Sequence, residues 1–232
     1  MPGRLNLWLH GTGAVLRKDL KLELRSRYIL STLLIFVASA LLLVMLAVGR
    51  EAISAKLQAG LLWIVILFTA ALGLGRAFVA EEERGTILLL RLHTRPSMVY
   101  AGKLLYSFLL ILAVNVILTG VFITLSGVEI ALPGLLGVTL LLGTLGLAGV
   151  TTLLAAIIAR TSRRGTLLPV LLFPLLIPLL LAAVDATEQS LTGGTPLLGG
   201  WAASMQSLVA MGSFAGVVIS ASVLLFDYVW VD

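Results

Sequence analysis

Six stretches of this chain, each of about 20 residues or more, run almost free of charge, and that pattern constrains the fold more than any other feature. A bilayer core about 30 Å thick takes about 20 apolar residues per helix. The runs lie at 28–48, 57–80, 104–126, 131–159, 166–184 and 207–226. Strands of a membrane barrel are short and alternate polar with apolar, so continuous runs this long exclude a barrel. A 59% hydrophobic share, counted without the 23 glycines, beside only 12% charged residues excludes a water-soluble domain and a disordered chain. The expected fold is all-α: one polytopic membrane domain over residues 1–232, with six transmembrane helices and short loops. The first run follows 27 mixed residues and has no small-residue cleavage site, so it reads as a retained span and not a signal peptide.

The cations fix the orientation. Fourteen of the 16 Lys and Arg residues precede the first span, lie between the second and third, or lie between the fourth and fifth; only Arg50 and Lys56 fall on the other side. Six spans put both termini on one side, and the positive-inside rule makes that side cytoplasmic. The chain has no cysteine, which removes disulfides, thiolate metal sites and thiol redox chemistry.

Three segments outside the spans are unusual. Residues 1–27 carry Leu16, Leu20 and Leu24 at intervals of four among Arg17, Lys18, Lys21 and Arg25, with Glu23 and Arg27 spaced as an i,i+4 pair. This predicts an amphipathic helix in the cytoplasmic leaflet surface, drawn to anionic lipid. Residues 81–96 carry three acids, an apolar run, then bases ending at Pro96. Acid at a helix start and base at its end complement the helix dipole, so a short cytoplasmic helix is expected, stopped before Pro96. Ile87, Leu88, Leu89, Leu90 and Leu92 are too apolar for a loop facing water and need a partner, either another protein, the favoured reading, or the rest of this chain if the segment extends the second span and packs on its own bundle. Residues 185–206 are expected to form a periplasmic loop of short interfacial or re-entrant pieces, with Trp201 at headgroup level.

Within the spans, Gly143, Gly146 and Gly149 lie at helical spacing and predict close helix packing, at the bundle centre or at a subunit interface. Pro169, Pro174 and Pro178 each remove a backbone donor and are expected to kink the fifth span. No charged residue sits at a span centre; Asn115, Thr69, Thr119, Thr144 and Thr151 are the polar groups at depth. That argues against an ion-coupled carrier and against an intramembrane hydrolase, which needs a nucleophile beside a base. His10 and His93 stand alone, so no metal ligation is expected. A phosphate loop is missing too: Gly102-Lys103 is the one Gly-Lys pair, and Ser97 stands where the loop's first glycine belongs. The chain is not expected to be an enzyme. A transport protein of this kind must draw energy from a cytoplasmic partner, and 81–96 is the best docking surface for one.

This organisation resembles the permease subunits of ABC-2 type exporters, and more specifically the CcmB family, called haem exporter protein B. Two stretches carry the match: Leu140 to Gly149, and Arg163 to Ala186 with its three prolines. The family's cytoplasmic motif, roughly FxxDxxDGSLEQL, is met by Phe78, Glu81, Gly85, Thr86 and Ile87; Arg84 replaces its second Asp, and Leu88 and Leu89 replace Glu-Gln. The resemblance implies a coupling segment for an ATPase made of Phe78, Glu81, Glu82, Glu83, Arg84, Gly85, Thr86, Ile87, Leu88 and Leu89. It implies a CcmA-like ATPase, CcmC-like and CcmD-like membrane subunits and a CcmE-like haem chaperone as partners, two copies of this chain per complex, and a place in the bacterial inner membrane. ATP would be bound by the partner, and haem would enter, if at all, as cargo of the assembly; no cofactor is expected in this chain, and no nucleic-acid partner. The implied function is a non-catalytic subunit coupling ATP hydrolysis to haem delivery or chaperone release in cytochrome c maturation. Two alternatives stand beside it: a membrane scaffold whose interface is the small-residue face of the fourth span, and an ABC-2 permease for another lipid or drug.

Overall fold

The computed structural model describes residues 3–26, 28–48, 53–74, 96–159, 164–194 and 198–231. These form seven helices: α1 (Gly3–Ser26), α2 (Tyr28–Val48), α3 (Ala55–Leu74), α4 (Pro96–Ser126), α5 (Pro133–Ala159), α6 (Arg164–Thr192) and α7 (Gly200–Val231). No strand occurs among the described residues; the one β-bridge, Gly194 with Gly199, is isolated. The helices α2 to α7 are each long and apolar enough to cross a membrane. The chain is a multi-pass membrane protein, helical throughout the described spans.

Local chemistry sets the ends. Pro96 and Pro133 open α4 and α5, where a missing N–H costs nothing and the fixed φ suits a first turn. Gly127 closes α4 at φ 64°, its N–H bonded to the Ile123 carbonyl at 3.0 Å. Gly193 and Gly194, at φ 81° and 113°, do the same for α6, with Gly193 N–H on the Gln189 carbonyl at 3.0 Å. The Leu132 N–H bonds the Ser190 carbonyl at 2.9 Å, tying the α4–α5 turn to the end of α6.

Two boundaries differ from the sequence reading. The 185–206 segment is not a loop of separate short pieces: Asp185 to Thr192 continue α6, and α7 begins at Gly200. Nothing in Asp185-Ala-Thr-Glu-Gln-Ser breaks a helix; polarity ended the apolar run there, whereas the backbone turns only at the glycine pair. The third span likewise starts at Pro96 and not near 104, because Val99 to Lys103 are held in a helix by contacts with α1 described below. Trp201 lies exposed in the first turn of α7, near the start of α5, where a Cβ on Gly134 would sit 3.5 Å from its ring.

The core is centred on α5. Of its apolar window 72% is buried, against 17% for α2, whose Ile35, Leu42, Leu43 and Leu46 face outward while Leu33, Val37 and Leu41 face in. Each glycine on α5 receives a different helix. Gly143 lies under the Trp63 ring of α3, Gly146 under Leu179 of α6, and Gly149 under Val218 and Ile219 of α7. The small-residue stripe is therefore consumed inside the bundle. Trp63 is fixed from its other side as well, its Nε1–H donating to Thr187 Oγ1 of α6 at 2.9 Å. The helix α6 runs without interruption through Pro169, Pro174 and Pro178, with Pro174 and Pro178 on its exposed face.

Candidate functional site

The segment singled out for partner binding, Phe78 and Glu81 to Leu89, lies in 75–95, outside the described residues. The structure gives its frame: the end of α3 at Leu74, from which the segment leaves, and the start of α4 at Pro96, to which it returns. That second anchor is a junction built from three kinds of contact.

It is made by α1. Thr12, Val15, Asp19 and Glu23 recur at intervals of three and four, so they share one helix face, and all four are buried. This face lies along the first three turns of α4. Trp8 Nε1–H donates to Ser97 Oγ at 3.2 Å. Gly11 takes the Met98 side chain, where a Cβ would meet the sulfur at 2.6 Å. Gly102 takes Val15: a Cβ there would fall 2.7 Å from the Val15 Cβ and 3.0 Å from the Thr12 carbonyl. A glycine on each helix thus lets the two backbones come together.

Charge completes the junction. Lys103, only 2% exposed, places Nζ 3.0 Å from Asp19 Oδ2, and Lys18 Nζ lies 3.4 Å from Asp19 Oδ1. One turn on, Glu23 Oε1 accepts the Leu30 N–H at 2.8 Å. Leu30 is in the first turn of α2, where amide hydrogens have no partner inside the helix, so Glu23 caps α2 from α1. One face of α1 therefore clamps α4 with Asp19 and α2 with Glu23.

The helix expected over 1–27 stands as α1, with Leu24, Arg17, Lys21 and Arg25 exposed and Leu16 and Leu20 half-buried; it also carries a buried face, Thr12-Val15-Asp19-Glu23, that the leucine repeat does not announce. Glu23 is spent on the α2 cap; Arg27, its proposed mate, lies outside the described residues. Two acids in register do not stand out beside three leucines, because water is the default partner of a charge on a basic segment. Lys103 was likewise read as a loop cation. The signal for the clamp was present, since acids four residues apart continue the line of Thr12 and Val15.

The other predicted residues lie elsewhere. Gly143, Gly146 and Gly149 are in the bundle interior, and the three prolines are on α6. Among the described residues no three His, Asp or Glu side chains gather in a way that could hold a metal ion.

Comparison with known proteins gives one consistent result. The model of the family described as CcmB protein matches residues 11–223. Heme exporter protein B of Bradyrhizobium diazoefficiens is 30% identical over 208 residues, 87% of this chain and 93% of that protein. Heme exporter protein B of Rhodobacter capsulatus is 30% identical over 214 residues, 89% of this chain and 98% of that protein. The namesake from Pseudomonas aeruginosa is 30% identical over 199 residues, 84% and 88% of the two chains.

Proposed function

Because the chain belongs to the CcmB family, we propose that it is the membrane subunit of an ABC transporter that serves haem delivery in cytochrome c maturation, driven by a separate CcmA-like ATPase. The observation that carries this reading is the family match over residues 11–223, which takes in five spans whole, most of the sixth and the whole 75–95 segment. The relatives' name, heme exporter protein B, supplies the cargo class. In this reading the chain hydrolyses nothing itself and sits in the bacterial inner membrane with both termini cytoplasmic, beside CcmC-like and CcmD-like subunits and a CcmE-like chaperone. Its exposed leucines and Arg17, Lys21 and Arg25 rest α1 on the inner leaflet.

Phe78 to Leu89 is then the coupling segment. A push delivered there reaches α4 through Pro96 and meets a start of α4 that α1 holds through Ser97, Gly102 and Lys103. The clamp supports the reading because a force transmitted to a loosely held helix end would dissipate in local bending. The scaffold reading is less well supported: its interface was the glycine stripe of α5, and this chain covers that stripe with its own α3, α6 and α7.

The test is co-purification with CcmA-like and CcmC-like partners, with ATPase activity and cytochrome c assembly measured together. Paired Leu88→Asp and Leu89→Asp changes, or Gly85→Pro, should leave the chain in the membrane while cytochrome c assembly falls at least about ten-fold, the effect of losing roughly 1.4 kcal/mol of coupling. Unchanged assembly and unchanged ATPase association in those variants would overturn the coupling role.

A further inference from the structure

Most hydroxyls inside this bundle bond the carbonyl one turn back: Thr69 to Val65 at 2.6 Å, Thr139 to Leu135 at 2.8 Å, Thr151 to Leu147 at 2.6 Å and Ser222 to Val218 at 2.6 Å. That local bond is the ordinary solution for Ser and Thr in an apolar helix. Tyr100 Oη near the start of α4 aside, four polar atoms on α4 and α5 depart from it. Ser107 Oγ, Thr119 Oγ1, Thr152 Oγ1 and Asn115 Oδ1 have no protein partner among the described residues, although their residues are 4% exposed or less.

The four are not scattered. Ser107, Asn115 and Thr119 lie eight and four residues apart along α4, within a stripe about 120° wide. Asn115 Nδ2–H donates to Thr144 Oγ1 of α5 at 3.0 Å, which fixes the register of these antiparallel helices. Counting eight residues from that bond in each direction brings Ser107 and Thr152 to one level, about 12 Å toward the Pro96 end. Thr119 lies about 6 Å the other way. On the register set by that bond, the four are spread along the α4–α5 seam.

We infer that this seam binds water: a row of buried water molecules bridges Ser107 and Thr152, the Asn115 amide oxygen and Thr119. Both the donors and the acceptor needed are present, since hydroxyls can donate or accept and the amide oxygen accepts. The seam itself offers hydroxyls and amides only. The carboxylates on this side, Asp19 and Glu23, are engaged by Lys103 and Leu30, so a neutral guest fits and a cation does not. Each hydroxyl had a protein acceptor one turn away, so turning from it into the seam needs a better partner there. This goes beyond the proposed function and stands without it.

The chain has no cysteine, so near-isosteric Ser107→Cys, Thr119→Cys and Thr152→Cys variants are clean probes. Thiols react with a small methanethiosulfonate only where water ionises them. In vesicles containing the full chain, each should react at least about ten-fold faster than Val114→Cys or Leu147→Cys, whose positions are equally buried but lie among apolar side chains. Rates no faster than those controls would overturn the inference. Variants must elute from gel filtration as the parent does. If they do not, X-ray radiolysis of the unmodified chain reads the same water, because bound water yields hydroxyl radical in place. Phe122, one turn from Thr119, should then be modified faster than Trp63, which is as buried but packed on Gly143. Equal or slower modification of Phe122 also overturns it.

Discussion

Lys103→Met should cost about 3–5 kcal/mol of folding free energy, the range for breaking a buried ion pair from one side. The group lost is a cation 2% exposed and 3.0 Å from a carboxylate that is itself buried. What it leaves behind decides the size of the effect. Among the described residues Asp19 would keep Lys18, at 3.4 Å with a side chain 36% exposed, and its neighbour on the same face is a second buried acid, Glu23. Against a total stability of roughly 5–15 kcal/mol, such a loss would deplete the folded protein. Replacing both partners, Asp19→Leu with Lys103→Met, should return most of it, because two apolar groups of similar size remove the desolvation cost with the attraction. Unfolding in detergent at matched lipid content, followed by denaturant titration of the four members of the cycle, gives the coupling energy directly. A single Lys103→Met change within about 0.5 kcal/mol of the parent would mean the ion pair does not hold the α1–α4 junction. Glu23→Gln should be milder, since an amide oxygen still accepts the Leu30 N–H.

The contrast between these residues and the spans shows what was legible in the sequence. All six spans and their order could be read, because a membrane allows so few solutions that twenty apolar residues in a row specify a helix. Gly143, Gly146 and Gly149 announced close packing by spacing alone. Their three separate partners were not readable, since nothing in a helix's own sequence says which neighbours fill its grooves. The ends of α4 and α6 went wrong for a shared reason. Hydropathy marks where the lipid stops, whereas helices stop at Pro96 or at Gly193-Gly194, and helices of 31 and 29 residues outrun the bilayer core. Asp19, Glu23 and Lys103 were missed because a charge on a basic, amphipathic segment is solvated by default. Only the fold brings an anion of α1 and a cation of α4, 84 residues apart in sequence, into one buried junction.

Gly143→Ala should cost the bundle about 2 kcal/mol or more, within the range for overpacking a filled core, while the same change at Gly149 should be close to neutral. Every Gly→Ala change in a helix begins with a gain of about 1 kcal/mol from backbone entropy, so what the new methyl meets decides the sign. At Gly143 it meets the Trp63 ring, a rigid plane held on the far side by Nε1–H to Thr187 at 2.9 Å. The ring cannot retreat without breaking that bond inside an apolar core. At Gly146 the methyl would come within 2.7 Å of a Leu179 methyl, the far end of a side chain with rotamers to spare, so an intermediate loss is expected. At Gly149 the contacts are 3.3 Å to Val218 and Ile219, and a shift of a few tenths of an ångström absorbs them, leaving the propensity gain to offset the crowding. Thermal midpoints in detergent should therefore rank Gly143→Ala lowest, then Gly146→Ala, then Gly149→Ala. The double variant Gly143→Ala with Trp63→Phe separates crowding from propensity. A smaller ring gives the methyl room but strands Thr187, so the pair should be less damaging than the sum of its parts without regaining the parent's stability. Equal losses at all three glycines would mean that the positions respond to backbone flexibility, and that α5 is not wedged between three separate neighbours.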